Sequence, residues 1–245
     1  MDEATERARV ERSPKRVRVL LAGRPVADTA APALVWERPP PTYYVPVADV
    51  LAELVPTGEV RRTPLGAATV YDVTLGGRSA AGAALRYLDS PELGDLVRLE
   101  WDAMDEWLEE DEPVYVHPRD PYSRVDVLAS SRHVVVSVDG VTLADSRQPR
   151  MLFETGLPPR HYLPMADVRL ELLRPSPTRT ACPYKGTASY WTVDTGVAVH
   201  EDLAWTYRAP LPESQKIAGL ICFYDEKVDV VVDGVARERP VSPFS

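Results

Sequence analysis

The chain has 245 residues, of which 44% are hydrophobic and 27% charged, so it can form one large globular domain or two of ordinary size. Its net charge of −9 would repel a phosphate backbone, which argues against nucleic acid as a partner. It has no run of roughly 18 apolar residues and no apolar core near its charged start, so neither a membrane partner nor a secretory signal is expected.

In chain order, the sequence first predicts a disordered tail and then a hairpin. Residues 1–13 have mixed charge and no apolar period, which predicts the tail. A strand is predicted over residues 17–21, followed by a turn at Ala22-Gly23. The same pattern returns at 134–138 with the turn Asp139-Gly140, and Asp-Gly between apolar runs is the strongest short hairpin signal.

The segment that follows the first hairpin is repeated after the second one. Residues 26–50 align with 143–168, with one inserted residue in the later copy. The identities are Asp28 with Asp145, Pro32 with Pro149, Glu37 with Glu154, Tyr44 with Tyr162, Pro46 with Pro164 and Asp49 with Asp167. Internal repetition of this kind predicts two domains of the same fold.

Later elements are also short. Alternating apolar residues over 168–173 predict a strand, and each copy has one helix signal, at 90–95 and at 212–219, where a proline and an acid follow a turn. Many short strands with turns every 8–12 residues are typical of all-β folds. We expect two tandem all-β domains of short antiparallel strands, each with one short helix.

These patterns also place the domain limits. We expect the tail at 1–13, a first, diverged repeat at 14–122, a linker at 123–131 and a second repeat with the intact motif at 132–245. The segment that joins the copies, residues 117–132, is apolar, bears prolines and can form ion pairs, which predicts docked halves rather than a flexible tether.

The two copies differ most in a segment that carries reactive side chains. The second copy reads Thr178-Arg-Thr-Ala-Cys-Pro-Tyr-Lys-Gly186 where the first reads Val60-Arg-Arg-Thr-Pro-Leu-Gly66. Lys185 thus aligns with Leu65 and Tyr184 with Pro64. Arg160 and His161 also replace Thr42 and Tyr43. We therefore look for function in the second copy.

Several of these motifs carry a resemblance to a known family. They are Phe-Glu-Thr-Gly-Leu-Pro-x-Arg-x-Tyr at 153–162, Thr-Arg-Thr-x-Cys-Pro-Tyr-Lys-Gly at 178–186, and Ile217-Ala-Gly followed by Phe223-Tyr224. They resemble the domain of unknown function 427, and the His-Pro-Arg-Asp-Pro-Tyr segment at 117–122 resembles its two-copy members. The resemblance implies a β-tent fold of two antiparallel sheets meeting at an angle. The family also carries a nucleotidyltransferase label, but the chain lacks the Gly-Ser and Asp-x-Asp arrangement that would hold magnesium on a nucleotide.

The residue types of the second copy predict a small-molecule or anion-binding module. Arginine and lysine suit carboxylate or phosphate groups, aromatic rings suit the walls of a pocket, and a glutamate orients an arginine. Trp205 is a further candidate wall. The predicted ligand-binding residues are Glu154, Arg160, Tyr162, Arg179, Cys182, Tyr184, Lys185 and Trp191. The alternative for the charged members is that they form surface ion pairs, which contribute only about 0–1 kcal/mol.

Two other classes of function stay open. The first is an enzyme of unknown reaction that uses Cys182 or a pocket lined by arginine and lysine. Cys182 would be the nucleophile if Arg179 and Lys185 lowered its pKa and a base were supplied by His161, His117 or a carboxylate such as Glu154. A protein-interaction module without a ligand is the third class. The predicted interface between the two halves comprises His117, Arg119, Asp120 and Tyr122.

No metal site is expected, and the sequence does not identify a cofactor. Cys182 and Cys222 are not in Cys-x-x-Cys pairs and are too few for a four-cysteine zinc site. The acid-rich stretch 102–112 lacks the glycine that turns a calcium loop, so it reads as a solvated edge. Two unpaired thiols are typical of a cytoplasmic protein.

Overall fold

The computed structural model describes residues 9–245, so most of the tail expected at 1–13 lies outside the described residues. The last part of that segment is a strand, β1 (Arg9–Arg12), which pairs with Ala33–Trp36 in antiparallel register. Val10 packs against one hydrophobic core. A strand with a single central apolar residue has no detectable period, which is why the sequence pattern predicts a tail here.

The chain divides into two compact units between Asp120 and Pro121. The linker predicted at 123–131 is largely part of the second unit, because Val125–Ala129 form a strand that pairs with Arg150–Glu154. Val127 of this strand is buried, and its backbone continues the sheet at an edge. The apolar residues of this segment therefore belong to a strand of the second unit.

The first unit is built from antiparallel strands in two sheets. One sheet has the order β1-β4-β5-β9-β8-β7-β6 and the other β11-β10-β2-β3. After β1, the strands are β2 (Val17–Leu21), β3 (Arg24–Thr29), β4 (Ala33–Trp36), β5 (Thr42–Pro46), β6 (Glu53–Thr63), β7 (Gly66–Leu75), β8 (Arg78–Arg86), β9 (Leu96–Leu99), β10 (Glu106–Glu109) and β11 (Glu112–Pro113).

The second unit has three sheets. Their orders are β12-β15-β16, β14-β13-β21-β22 and β17-β18-β19-β20. The strands are β12 (Val125–Ala129), β13 (Val134–Val138), β14 (Val141–Ser146), β15 (Arg150–Glu154), β16 (Arg160–Tyr162), β17 (Leu173–Cys182), β18 (Gly186–Asp194), β19 (Val199–Tyr207), β20 (Ile221–Phe223), β21 (Asp229–Val232) and β22 (Val235–Arg237).

The two units have the same strand topology. Each strand from β1 to β11 has its counterpart eleven positions later, and the bridge between Leu163 and Ile221 joins β16 to β20 as β5 pairs with β9. The register fixes residue equivalence: Leu85 faces Arg98 in the first unit as Trp205 faces Cys222 in the second. The protein is therefore all-β and duplicated, as the sequence predicts.

Turn chemistry explains the hairpins that start each unit. Ala22-Gly23 and Asp139-Gly140 both have positive φ at each residue, 52° and 70° in the first turn and 52° and 76° in the second. Such turns match the right-handed twist of paired strands, and glycine adopts them without steric cost. The closing hairpin at Asp233-Gly234 repeats the geometry.

The helix expectations are only partly met. Pro212–Ile217 is a short 3₁₀ helix, but residues 90–95 form turns in which Ser90 Oγ accepts from Leu93 N at 3.2 Å and Ser90 O accepts from Gly94 N at 2.9 Å. Strand β9 begins at Leu96, which leaves no room for a helix.

The strand predicted over 168–173 is wrong, since the chain forms a 3₁₀ turn there and β17 begins at Leu173. The 3₁₀ turns are Val47–Asp49, Trp101–Ala103, Met165–Asp167 and Leu170–Leu172. Within residues 9–245, no helix has the length and apolar character needed to cross a membrane.

Candidate functional site

Four segments of the second unit bring charged side chains into one buried cluster. Strands β15 and β16 place Leu152 opposite Arg160, so Glu154 lies on the same face as Arg160, one step along the diagonal. The loop between β17 and β18 brings Lys185, whose carbonyl accepts from Leu211 N at 3.1 Å. The segment after β20 brings Glu226. We call Glu154, Arg160, Lys185, Asp225 and Glu226 the charged cluster.

Arg160 and Glu226 form a buried bidentate ion pair. Arg160 Nη1 and Nη2 each donate to a different oxygen of Glu226 at 2.7 Å, and their side chains are only 7% and 0% exposed. Burial alone raises the pKa of Glu226, but hydrogen bonds from Arg160 and Ser242 outweigh it and lower the pKa to about 2. The guanidinium also lies 5.7 Å from the ring of Trp205. Both charges are thus satisfied inside the unit.

Lys185 and Glu154 form a second pair. Lys185 Nζ donates to Glu154 Oε2, and the side chains are 11% and 10% exposed. This is a single ammonium–carboxylate contact rather than a fork, so it is less constrained geometrically than the pair formed by Arg160. His161, whose Nδ1 lies 3.1 Å from Asp225 Oδ2, adds a third contact between β16 and the segment after β20.

Aromatic side chains surround the cluster. Trp205 Nε1 donates to Tyr162 OH at 3.0 Å, and Trp205 packs on Tyr224 with ring centroids 4.6 Å apart. Tyr190 OH lies 2.9 Å from Thr180 Oγ1. Burial raises the pKa of Tyr162 well above its ordinary value, so its hydroxyl stays neutral. The cluster is therefore enclosed by rings whose polar atoms are already paired.

The thiol among these charges belongs to Cys222 rather than Cys182. Cys222 lies on β20, is 0% exposed and interacts electrostatically with Asp225, Arg160 and Lys185. Burial, with Asp225 adding to it, raises its pKa well above the ordinary value, which keeps it a neutral thiol. Cys182 ends β17 opposite Gly186 and is half-buried. In the described part of the chain, no hydrogen bond joins it to a base.

A cleft opens beside the Lys185–Glu154 pair. Its volume is about 270 Å³, and it is lined by Arg124, Asp126, Phe153, Glu154, Thr155 and Leu157. Arg124 pairs with Asp126 at 2.9 Å, so the mouth of the cleft carries one exposed charge of each sign. Glu154 is the member of the charged cluster that reaches this cleft.

The structure brings some of the predicted residues together and separates others. Glu154, Arg160, Tyr162 and Lys185 lie in or against the cluster. Arg179 is exposed and donates to the carbonyls of Ser176 and Thr178, at 2.9 and 2.6 Å. Trp191 follows Tyr190 on β18, so it points to the opposite face and packs on the other core of the unit. Tyr184 is half-buried, and its carbonyl accepts from Ser214 Oγ at 3.3 Å.

The sequence pattern does not identify the carboxylates that neutralise the cations. Glu226 is 66 residues from Arg160, and no local spacing joins them. The Phe223-Tyr224 part of the family motif ends one residue before Asp225 and would have pointed to this segment. Cys222 and Tyr207 also lie on strands whose register is set by long-range pairing.

The four residues predicted for an interface lie around the division of the chain. Asp120 Oδ2 accepts from Trp36 Nε1 at 3.0 Å, and His117 Nδ1 lies 2.7 Å from the carbonyl of Pro118, both within the first unit. Arg119 precedes the division and Tyr122 follows it. The interface itself stays a prediction.

A comparison with protein families finds two copies of one family in this chain, in agreement with the repeated strand topology. The family model described as a domain of unknown function, DUF427, matches residues 9–110 and again 126–234. The chain belongs to the DUF427 family. The first match covers β1 to β10 and the second covers β12, from its second residue, to β21, so each unit contains one DUF427 copy. No curated protein matches the chain.

The first DUF427 copy builds its charges from different positions. Glu37, equivalent to Glu154, accepts from Arg98 Nη1 at 2.9 Å and from Tyr44 OH at 2.6 Å. Arg98 occupies the place of Cys222, and Thr42 the place of Arg160. The glutamate at the end of the fourth strand is thus paired with a cation in both copies, although the cation comes from another strand. Among residues 9–245, no group of three or more His, Cys, Asp or Glu side chains is arranged to hold a metal ion.

Proposed function

We propose that this DUF427 protein is a cytoplasmic small-molecule-binding protein whose second copy takes a small anion, a carboxylate or a phosphate, at Lys185. The observation that carries the proposal is the Lys185–Glu154 pair, nine-tenths buried, at the edge of an open cleft. Buried ion pairs cost desolvation energy that apolar packing would avoid, so two of them in one small unit call for a role beyond stability.

The two cations of the cluster differ in how readily they can take a ligand. Arg160 donates from both Nη atoms to a carboxylate that is fully buried, so a ligand would have to break two hydrogen bonds to displace it. Lys185 makes one contact with a carboxylate that reaches the cleft. An incoming anion therefore replaces Glu154 on Lys185, while the Arg160–Glu226 pair holds the surrounding strands in place.

Exchange of this kind sets the expected affinity and its response to mutation. Glu154 is a tethered competitor with an effective concentration on the order of millimolar or higher. Removing its charge frees the ammonium, so Glu154→Gln strengthens binding of an anion. Removing the ammonium in Lys185→Met abolishes binding. A cationic ligand would give the opposite signs, because it would bind Glu154.

The experiment is a thermal-shift screen with carboxylic acids, sugar phosphates and nucleotides on wild type, Lys185→Met and Glu154→Gln. A ligand at 100 times its Kd stabilises by about 2.7 kcal/mol, or roughly 5–10 °C for a chain of this size. Lys15→Met is a matched control, because Lys15 pairs with Glu109 in the first copy. A shift that survives Lys185→Met contradicts the proposal, as does a screen with no shift at all.

Two other functions are tested alongside. Cysteine catalysis predicts that Cys182→Ser spares binding and stops turnover. A ligand-free interaction module predicts that neither Lys185→Met nor Cys182→Ser changes anything in the screen.

A further inference from the structure

The first copy has a cleft at the place where the second copy has its charged cluster. It measures about 410 Å³ and is lined by residues of the first unit that include Glu37, Arg98, Glu100 and Trp101. The size lies within the range of small-molecule sites, about 300–1,000 Å³. Thr42 and Pro64, which replace Arg160 and Tyr184, line the same cleft. The substitutions that mark this copy as diverged therefore open a space.

The inner wall of the cleft is electrically balanced. Arg98 donates to Glu37 at 2.9 Å and to Glu100 at 3.2 Å, and Arg61 donates to Glu100 at 3.0 Å. Two cations thus meet two carboxylates. A ligand with a net charge would have to break one of these pairs to gain a partner on the wall, and Arg98 is held by two carboxylates.

Two charged side chains at the rim of the cleft have no ion-pair partner in the described part of the chain. Arg38 and Asp102 both line the cleft, both are exposed, and neither side chain makes an ion pair or hydrogen bond to the rest of residues 9–245. They carry opposite signs, and no ion pair joins them. A ligand that satisfies both must present an anionic and a cationic group together.

Apart from Thr42 and His117, the other side chains that line the cleft are apolar, and most of them have few rotatable bonds. Five prolines line it, at positions 39, 40, 41, 64 and 118, together with Trp101. One face of Trp101 stacks on Trp107, with ring centroids 4.5 Å apart and planes at 6°, so its orientation is fixed. Fixed φ angles and a stacked indole reduce the ordering cost of binding. Such walls suit an apolar or aromatic side chain.

We infer that the first copy is a second binding site, independent of the one proposed for the second copy, and that it takes a zwitterion with an apolar body, of the free amino-acid class. The carboxylate of the ligand pairs with Arg38 and its ammonium with Asp102. Its side chain lies against the prolines and Trp101. The two copies then share a fold and differ in ligand, since one exchanges an anion and the other binds a neutral zwitterion.

The test is isothermal titration calorimetry of the full chain with the twenty standard amino acids, and then of Lys185→Met, which lacks the anion site proposed for the second copy, with L-phenylalanine, its amide and 3-phenylpropionate. We expect binding of apolar or aromatic amino acids, with at least tenfold weaker binding of the amide and of the deaminated acid. Asp102→Asn and Arg38→Gln should each weaken amino-acid binding at least tenfold, and both residues are exposed, so the variants should fold.

Two controls separate this site from the one in the second copy. Asp89→Asn changes an exposed carboxylate outside the cleft and should leave the affinity unchanged. Lys185→Met should also leave it unchanged, because that residue belongs to the other unit. The inference is overturned if no amino acid binds, if the amide or the deaminated acid binds Lys185→Met as tightly as the zwitterion does, or if Lys185→Met removes the binding of the zwitterion.

Discussion

Replacement of Arg160 by methionine tests the energetics of the charged cluster. Arg160→Met keeps much of the side-chain volume but leaves the Glu226 carboxylate, 0% exposed, without its bidentate partner. Loss of one member of a buried pair costs about 3–5 kcal/mol, because the remaining charge has no compensation. At about 2–4 °C per kcal/mol, the second unit should melt roughly 6–20 °C lower.

The double variant Arg160→Met with Glu226→Met distinguishes pairing from simple packing. Removing both charges should restore most of the lost stability, since apolar replacement of a buried pair is often neutral or stabilising. The control is Arg239→Met, whose pair with Asp229 has side chains 49% and 61% exposed and should change stability by less than about 1 kcal/mol. Urea unfolding measures all three variants. A cost below about 1 kcal/mol for Arg160→Met, or a double variant no more stable than the single, would refute the reasoning.

Three further predictions concern the same cluster. Because folding lowers the pKa of Glu226 from 4.5 to about 2, the ionised carboxylate stabilises the fold fully above about pH 4.5, and this contribution is lost as the pH falls toward 2. Glu226→Gln should therefore flatten the plot of unfolding free energy against pH in this range. An unchanged plot would contradict the prediction. Ser242→Ala removes a hydrogen bond to Glu226, so it should lower the free energy of unfolding by about 1–2 kcal/mol and raise the pKa of Glu226 in an NMR titration. An unchanged pKa would show that the Ser242 hydroxyl does not donate to this carboxylate. A thiol reagent should label Cys182 in the native protein and Cys222 only after unfolding, since burial raises the pKa of Cys222; two fast thiols by mass spectrometry would show that β20 opens easily.

The fold could be predicted from the sequence where local chemistry decides it. Asp139-Gly140 and Asp233-Gly234 need positive φ and therefore mark hairpins, and the repeated segments around Glu37 and Glu154 show the duplication. The order of the strands within the sheets follows from long-range pairing that no local pattern reports. The turns at 90–95 also look helical in sequence, because the cap and proline signals are present, but β9 begins too soon afterwards.

The candidate site could be predicted only in part, for the same reason. The residue types around Lys185 indicate a cation-rich segment, and the repeat alignment shows that Glu154 has an equivalent, Glu37, in the first copy. The partner of Arg160 could not be predicted, because Glu226 comes from another strand end. The first copy has Leu65 and Thr42 where the second has Lys185 and Arg160, yet Arg98 supplies a cation from a position where the second copy has a thiol.

The central claim is that Lys185 is the ligand-binding cation and Glu154 its tethered competitor. The most direct measurement is the affinity of the best anion from the screen for wild type, Lys185→Met and Glu154→Gln, by calorimetry at fixed ionic strength. The account predicts loss of binding in Lys185→Met and tighter binding, by about tenfold or more, in Glu154→Gln. Weaker binding in Glu154→Gln together with retained binding in Lys185→Met would contradict it.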